Sequence, residues 1–312
     1  MYIHAVSHYL PSEVVDNEHF TQLNGLSNDW IVERTGISER RKAAPGENTN
    51  TMTLDAVKRL QDKVDLSSVD LIVGATYTPY DTIVSLAHEA QHYLEIADIP
   101  VVSISTACSS LLNAIELVEG YFALNKATRA LVIVSEHNTV YNNERDTMSG
   151  HLWGDGAAAL YITKERQSEQ DFDIKGLLTG GAAHSQKATT GVMLKPAEGG
   201  VSMPHGRDVF IHACQYMPKA TIDILQRCNV ALSDVNYVLP HQANLRISRN
   251  VMNTLNLPED KLISNIQYLG NTGCAGCAIG LSENWDKFKK GERIIVTVFG
   301  GGYSYGAMLI EV

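Results

Sequence analysis

Three side chains at turns of this chain could do covalent chemistry together: a thiol, an imidazole and a carboxamide. Cys108 lies in VVSISTACSSLLNAI (101–115), after an apolar, β-branched run and at the first turn of a stretch with helical apolar spacing. Unpaired N–H groups and the helix dipole at such a turn favour an anion, lower a thiol's pKa and expose it to substrate. The competing reading is an inert thiol packed in the core, the common fate of a free cysteine. A nucleophile needs partners, and two polar residues stand at comparable junctions. His241, in VNYVLPHQANLRISRNVMNTL (235–255), lies just beyond a strand and before a helix. Asn271, in YLGNTGCAGCAIGL (268–281), occupies a glycine-bounded loop that leads into a small-residue helix. Strand-to-helix junctions are where α/β folds place their sites.

Strands and helices must hold such groups, and the apolar pattern supplies them. DLIVGAT (70–76), VVSIS (101–105), ALVIVSE (130–136) and AAALYI (157–162) alternate with helical periodicity, as in Leu111, Leu112, Ile115, Val118 and Phe122. That alternation predicts an α/β protein with largely buried strands. The second half repeats the first faintly. VDLSSVDLIV (64–73) aligns with VALSDVNYVL (230–239), RALVIVS (129–135) with RIIVTVF (293–299), and GAAALYI (156–162) with GAMLIEV (306–312). Three matches in one order, at offsets of 166, 164 and 150, predict a duplication with halves at 1–165 and 166–312. No linker or low-complexity tail separates them, so the halves should share one interface. By that repeat His241 stands where Ala75 stands in the first half.

Composition narrows the function. A formal charge of -10 over 312 residues argues against a general nucleic-acid binder. It leaves room for a local basic patch facing an acidic protein. The uncharged run IIVTVFGGGYSYGAMLI (294–310) is nearly long enough to span a bilayer. Its glycines and alternating pattern instead predict two buried strands around a turn, so no membrane span is expected. The opening residues show no basic segment followed by an apolar core. With five cysteines, an odd number, free thiols in a reducing cytoplasm are the expected state.

Rival motifs are weaker. HEAQH (88–92), with Glu95 one turn on, fits the zinc-protease pattern but lacks the extension that carries a third ligand, and a solvated or interface helix is preferred. CAGC (274–277) has no second pair, since Cys214 and Cys228 lie 14 apart. Two packed cysteines are the better reading. Neither glycine-rich stretch has the dinucleotide fingerprint after a strand. No metal or cofactor is expected.

The motifs together resemble a known family. DWIVERTGISERR (29–41), STACSS (105–110), WGDGAAA (153–159), HGRDVF (205–210), PHQAN (240–244), GNTG (270–273) and FGGGYSYG (299–306) are similar to those of β-ketoacyl-acyl-carrier-protein synthase III, of the thiolase superfamily. The order and length also match, almost end to end. The resemblance implies a five-layered αβαβα thiolase-like fold of two similar halves, assembled as a homodimer. It implies a Claisen condensation in fatty-acid initiation or in polyketide or alkylresorcinol-type lipid synthesis.

By the same resemblance Cys108, His241 and Asn271 form a catalytic triad, and the Gly301 N–H joins that of Cys108 in an oxyanion hole. The thiolate takes an acyl group from a thioester, which splits one hard step into two. Malonyl thioester then loses CO2, and neutral His241 and the Asn271 amide donate to the enolate oxygen. Trp30 and Arg34 fall on positions that grip the nucleotide end of coenzyme A; Phe210, Asn244 and Arg246 fall on further substrate-binding positions. Arg246 and Arg249, three apart on one helix face, offer a cationic patch to an acyl carrier protein.

Two departures from the pattern bear on substrate. Thr147 stands where an arginine should cover the other adenine face, and Ile83-Val84-Ser85 replaces a Phe-Pro-Ser whose aromatic reaches the partner subunit's acyl pocket. They imply a non-standard acyl group, delivery by a carrier protein in place of coenzyme A, and a specialised product. The other functional class is an acyltransferase of the same fold, moving the acyl group to an alcohol or amine. A silent partner subunit is disfavoured by the intact triad.

Overall fold

The computed structural model describes residues 1–312. The chain opens with β1 (Tyr2–Tyr9), β2 (Glu13–Asp16), α1 (Asn17–Asn24), α2 (Asn28–Thr35), β3 (Glu39–Lys42) and α3 (Thr49–Gln61). Next come β4 (Leu71–Ala75), α4 (Leu86–Leu94), β5 (Val101–Ile104), α5 (Ser110–Ala123), β6 (Arg129–His137) and β7 (Asp155–Thr163). The second half runs β8 (Phe172–Gly181), β9 (Met193–Lys195), β10 (Gly200–Ser202), α6 (Gly206–Arg227), β11 (Tyr237–Pro240) and α7 (Leu245–Thr254). It ends with α8 (Ile266–Leu269), α9 (Ala275–Asn284), β12 (Arg293–Phe299) and β13 (Ser304–Glu311).

The main strands fall in the order β11-β12-β13-β8-β1-β7-β6-β4-β5. Two half-sheets of like topology make up this array. In one, β4 runs parallel to β6, which pairs antiparallel with β7, and β7 with β1. In the other, β11 runs parallel to β12, which pairs antiparallel with β13, and β13 with β8. The halves join only where Tyr2 and Ile3 meet Asp173 and Phe172. The counterpart of β5 is reduced to one parallel bridge between Leu262 and Val238. The sequence boundary at 165/166 falls in the connection between β7 and β8.

Alternation along the strands produces the layers, because successive side chains point to opposite faces. On β6, Val132 and Val134 face a central core with Leu112 and Ile115 of α5 and Ala278 and Ile279 of α9. Leu131 and Ile133 face the other way, onto Met52, Ala56 and Leu60 of α3 and Leu86 of α4. β12 repeats the arrangement: Ile294, Val296 and Val298 join the central core, while Ile295 packs against Ile224 and Leu225 of α6 and Met252 of α7. Outer helices, half-sheet, central helices, half-sheet and outer helices form the five layers. Both faces of each half-sheet are covered, which is why these strands read as continuous apolar runs. No helix is long and apolar enough to cross a membrane.

Candidate active site

The central helices α5 and α9 begin at the sheet ends where the parallel strands finish, and the site collects there. Cys108 occupies a tight turn between β5 and α5. Ala107 takes φ +51°, a left-handed conformation that costs a non-glycine residue roughly 1–2 kcal/mol. The turn is pinned by Ser109 and Ser110 N–H groups donating to the Thr106 and Ala107 carbonyls (3.3 and 3.2 Å), and by Ser304 Oγ donating to the Thr106 carbonyl (3.0 Å). Gly300 packs on the Cys108 and Ser109 amides, so any side chain there would strike them. Gly301 lies against Ala107 in the same turn, and the N–H groups of Cys108 and Gly301 favour the charged form of the Cys108 sulfur.

Burial first, and the Glu136 carboxylate second, push the Cys108 thiol up to about 12, against the pull of the Tyr77 hydroxyl and the two N–H groups. The expectation that a helix terminus lowers this pKa is thus corrected. Cys108 stands two residues ahead of Ser110, the first residue of α5, and loss of water outweighs the dipole. The resting group is a thiol.

His241 directly follows β11, and its N–H donates to the Thr297 carbonyl on β12 (2.8 Å). The register that sets Pro240 beside Thr297 brings His241 to the same sheet end as the Gly300–Gly301 turn. Its Nδ1 is buried without a partner, and Nε2 makes no hydrogen bond within the chain. Burial lowers the imidazole to about 4, so it is neutral at ordinary pH. Asn271 is held by its backbone: its N–H donates to the Leu152 carbonyl (2.7 Å), and its carbonyl accepts from Gly154 N–H (3.1 Å) and Asn138 Nδ2 (3.2 Å). Its Oδ1 accepts from Gly273 N–H at 2.9 Å, which leaves the Nδ2 donor free. Two neutral donors and a thiol beside two N–H groups suit acyl transfer with enolate stabilisation.

Sequence reading overlooked three polar residues near this turn. Glu136, fully buried near the end of β6, accepts from Cys274 Sγ (2.9 Å), Thr76 Oγ1 (3.0 Å), Thr78 Oγ1 and the Tyr77 N–H. Burial pushes its carboxyl up to about 7 despite these four donors. Tyr77, two residues beyond β4, donates its hydroxyl to Asn138 Oδ1 (2.7 Å), and burial raises its pKa. A carboxylate inside the apolar strand ALVIVSE was the available signal for Glu136. Nothing local marked Tyr77 or Asn138.

A second group lies around α2, α6 and α7. Trp30 is half-buried, and the Arg34 guanidinium covers its ring at 4.5 Å. Asn244 caps α7, accepting from Arg246 N–H (2.8 Å), and its Nδ2 ties that helix to the Arg34 carbonyl (3.0 Å). The Arg246 guanidinium lies over Phe210 at 5.8 Å. Arg249, expected as half of a cationic patch, is bound to Glu259 at 2.7 Å; Arg246 alone of the two keeps an unpaired charge. Thr147 and Ile83 are exposed. His88 hydrogen-bonds Ser85 Oγ (2.9 Å) and so caps its own helix α4. The CAGC thiols are buried, Cys274 on Glu136 and Cys277 against the Leu239 carbonyl.

Comparison with known proteins places the whole chain among similar proteins. Residues 102–177 match the family model described as 3-oxoacyl-[acyl-carrier-protein (ACP)] synthase III, and residues 225–312 match the model of its C-terminal part. The chain is 34% identical to a β-ketoacyl-[acyl-carrier-protein] synthase III of Clostridium perfringens (strain SM101 / Type A), covering 97% of this chain and 96% of the relative. It is likewise 34% identical to that of Aquifex aeolicus (strain VF5), over 97% and 96% of the two chains. The solved 3-oxoacyl-[acyl-carrier-protein] synthase III of Aquifex aeolicus superposes with a TM-score of 0.92 at 31% identity, over 100% of this chain and 99% of that one. A priming β-ketosynthase from the R1128 polyketide pathway gives 0.88 at 25% identity, over 99% and 95%.

Proposed function

This chain belongs to the β-ketoacyl-acyl-carrier-protein synthase III family, and from that membership we propose a condensing enzyme that joins an acyl group held on Cys108 to a malonyl or β-ketoacyl thioester. The observation that supports the residue roles is the arrangement of free donors: the Cys108 and Gly301 N–H groups that favour a charged Cys108 sulfur, a His241 ring without a hydrogen bond, and an Asn271 Nδ2 whose Oδ1 is already held. In the first step the Cys108 sulfur attacks the acyl thioester. The tetrahedral oxyanion accepts from the N–H groups of Cys108 and Gly301. The thiol proton ends on the departing thiol.

Malonyl thioester then loses CO2. The electron pair left behind forms an enolate whose oxygen accepts from His241 and Asn271. A buried, neutral imidazole is the form that can donate there without adding a charge. The carbanion attacks the acyl-cysteine carbonyl, the same two N–H groups hold the new oxyanion, and the Cys108 sulfur leaves and recovers a proton.

Several features support the finer readings. Unpaired Arg246 beside Phe210 suits an acidic acyl carrier protein, and Arg34 on Trp30 with exposed Thr147 weakens the clamp expected for the nucleotide of coenzyme A. We read the assembly as a cytoplasmic homodimer. β5 is an unpaired sheet edge, and Tyr80, Ile83 and Val84 beside it are 69%, 84% and 43% exposed. An open edge next to an apolar patch is a surface that a two-fold partner covers. Five free cysteines suit a reducing compartment.

Intact mass after exposure to a panel of acyl groups, each offered on carrier protein and on coenzyme A, tests this reading. One acyl group should appear on the wild type and none on Cys108→Ala, and malonyl thioester should then convert the adduct to a released β-ketoacyl product. Loading of the alanine variant at the same level would overturn it. Release as an ester or amide, without CO2, would show the acyltransferase in its place.

A further inference from the structure

We propose that Asn138 is a positioning residue for decarboxylation: its buried carboxamide holds the backbone of Asn271 and so aims the Asn271 Nδ2 donor. The inference rests on Asn271 being an enolate donor and adds the group that sets its place. Asn271 sits between α8 and α9 on little support. Gly270 and Gly273 beside it take φ +63° and +58°, and glycine leaves a backbone the most freedom. The loop meets the sheet through a single parallel bridge between Asn271 and Trp153. Two bonds make that bridge, from Asn271 N–H to the Leu152 carbonyl (2.7 Å) and from Gly154 N–H to the Asn271 carbonyl (3.1 Å). That is a short hold for a side chain that must meet a substrate oxygen.

Asn138 supplies the further hold. It is fully buried and directly follows β6. The β6–β7 register pairs His137 with Asp155, so the chain brings Asn138 out opposite Gly154. Its Nδ2 donates to the carbonyls of Gly154 (2.8 Å) and Asn271 (3.2 Å), one from each side of the bridge. An amide nitrogen has two N–H donors, so both carbonyls are met at once. Because carbonyls only accept, they also fix which end of the carboxamide is nitrogen. A strand of the first half thus places a donor of the second.

The far end of the carboxamide is fixed as well. Asn138 Oδ1 accepts from the Tyr77 hydroxyl (2.7 Å), and the Tyr77 N–H donates to the Glu136 carboxylate (3.3 Å). Gly273 lies so close to Tyr77 that a Cβ there would strike the ring and the hydroxyl. The loop is therefore held at Asn271 by Asn138 and at Gly273 by Tyr77. Asn138 makes no hydrogen bond to the Asn271 side chain, whose Oδ1 accepts from Gly273 N–H (2.9 Å) and whose Nδ2 stays free for the enolate. Displacing a positioned group by about 1 Å can cost roughly 10²-fold in rate. Acyl loading uses Cys108 and the Gly301 N–H, neither of them bonded to Asn138.

Asn138→Leu keeps the size of the side chain and removes all three hydrogen bonds. The probes are CO2 release from malonyl-pantetheine and acyl loading of Cys108 from an acyl-pantetheine thioester. Wild type, Asn138→Leu, Asn271→Ala and the double variant are compared. In Asn138→Leu, kcat for CO2 release should fall about tenfold with KM within about twofold, because Asn138 touches no substrate. Loading should stay within about twofold. With Asn271 already alanine, Asn138→Leu should cost nothing more in CO2 release, since the donor it aims is gone. An unchanged kcat in Asn138→Leu would overturn the proposal. So would the same loss in the Asn271→Ala background, which marks a general loosening of the site. Wild-type CO2 release by Asn271→Ala would instead overturn the enolate-donor reading itself. If Asn138→Leu misfolds, Tyr77→Phe decides, because it frees Asn138 Oδ1: CO2 release should fall roughly threefold, the size of one neutral hydrogen bond, and only while Asn271 is present. Release at the wild-type rate in that variant refutes the role.

Discussion

Replacing Glu136 by glutamine should stabilise the protein in neutral and alkaline solution and leave it unchanged in acid. Burial raises the Glu136 carboxyl from 4.5 to about 7. The folded state holds a proton that the unfolded state gives up, so Glu136 favours folding below pH 4.5 and that contribution is lost as pH rises through 7. A shift of this size corresponds to about 3 kcal/mol of charge-burial cost above the folded pKa. Glutamine resembles the protonated carboxyl and never pays it. The assay is chemical denaturation of both proteins from acid to alkaline pH. Their stability difference should be near zero in acid, climb between pH 4.5 and 7, and level off at about 3 kcal/mol. A second readout follows at Cys108. Glu136 is the second cause, after burial, of the raised Cys108 thiol, so Glu136→Gln should speed alkylation of Cys108 at neutral pH. A stability difference that does not vary with pH would show that folding leaves the Glu136 carboxyl unshifted and refute the reasoning.

Three further outcomes are expected. His151 and His241, buried and lowered to about 4, refuse protons that the unfolded chain accepts below 6.5; each should cost about 3 kcal/mol of stability as pH falls from 6.5 to 4, and His151→Leu should flatten that acid limb in a pH series of denaturation curves. Asn271→Asp replaces the free Nδ2 donor with a carboxylate oxygen; CO2 release from malonyl thioester should fall by about 10²–10³-fold while acyl loading persists, and release at the wild-type rate would remove Asn271 from the mechanism. Arg246→Glu should slow reaction with carrier-bound donors and flatten its salt dependence more than Arg249→Glu does, because Glu259 already neutralises Arg249; stopped-flow rates over a salt series would reverse that order if the ion pair opens in solution.

Much of the architecture was legible along the chain. Buried strands announce themselves as β-branched runs, and DLIVGAT, ALVIVSE and RIIVTVF became β4, β6 and β12. Their alternation with helical periodicity predicted an α/β protein, the family resemblance supplied the five layers, and the faint repeat anticipated two half-sheets of like topology. Cys108 and His241 could be picked out as candidates because each stands at a strand-to-helix junction, a local property; Asn271, expected at such a junction, lies between α8 and α9 and meets Trp153 in a single β-bridge. Gly301 was singled out by the family resemblance alone.

Contacts between distant segments decided the rest. Glu136 meets Cys274, Tyr77 meets Asn138, and Gly273 makes room for both Tyr77 and Glu136, pairings that no local spacing encodes. The protonation of Cys108 belongs to the same class. A helix terminus, visible in the sequence, argues for a thiolate, but burial and a carboxylate from β6 argue more strongly for the thiol. Arg249 reads as a free cation beside Arg246 until the chain after α7 returns with Glu259. Local pattern selects conformation and face, whereas desolvation and charge depend on whatever the fold packs alongside, so Cys108 could be named a candidate from the sequence and the direction of its pKa shift only from the tertiary structure.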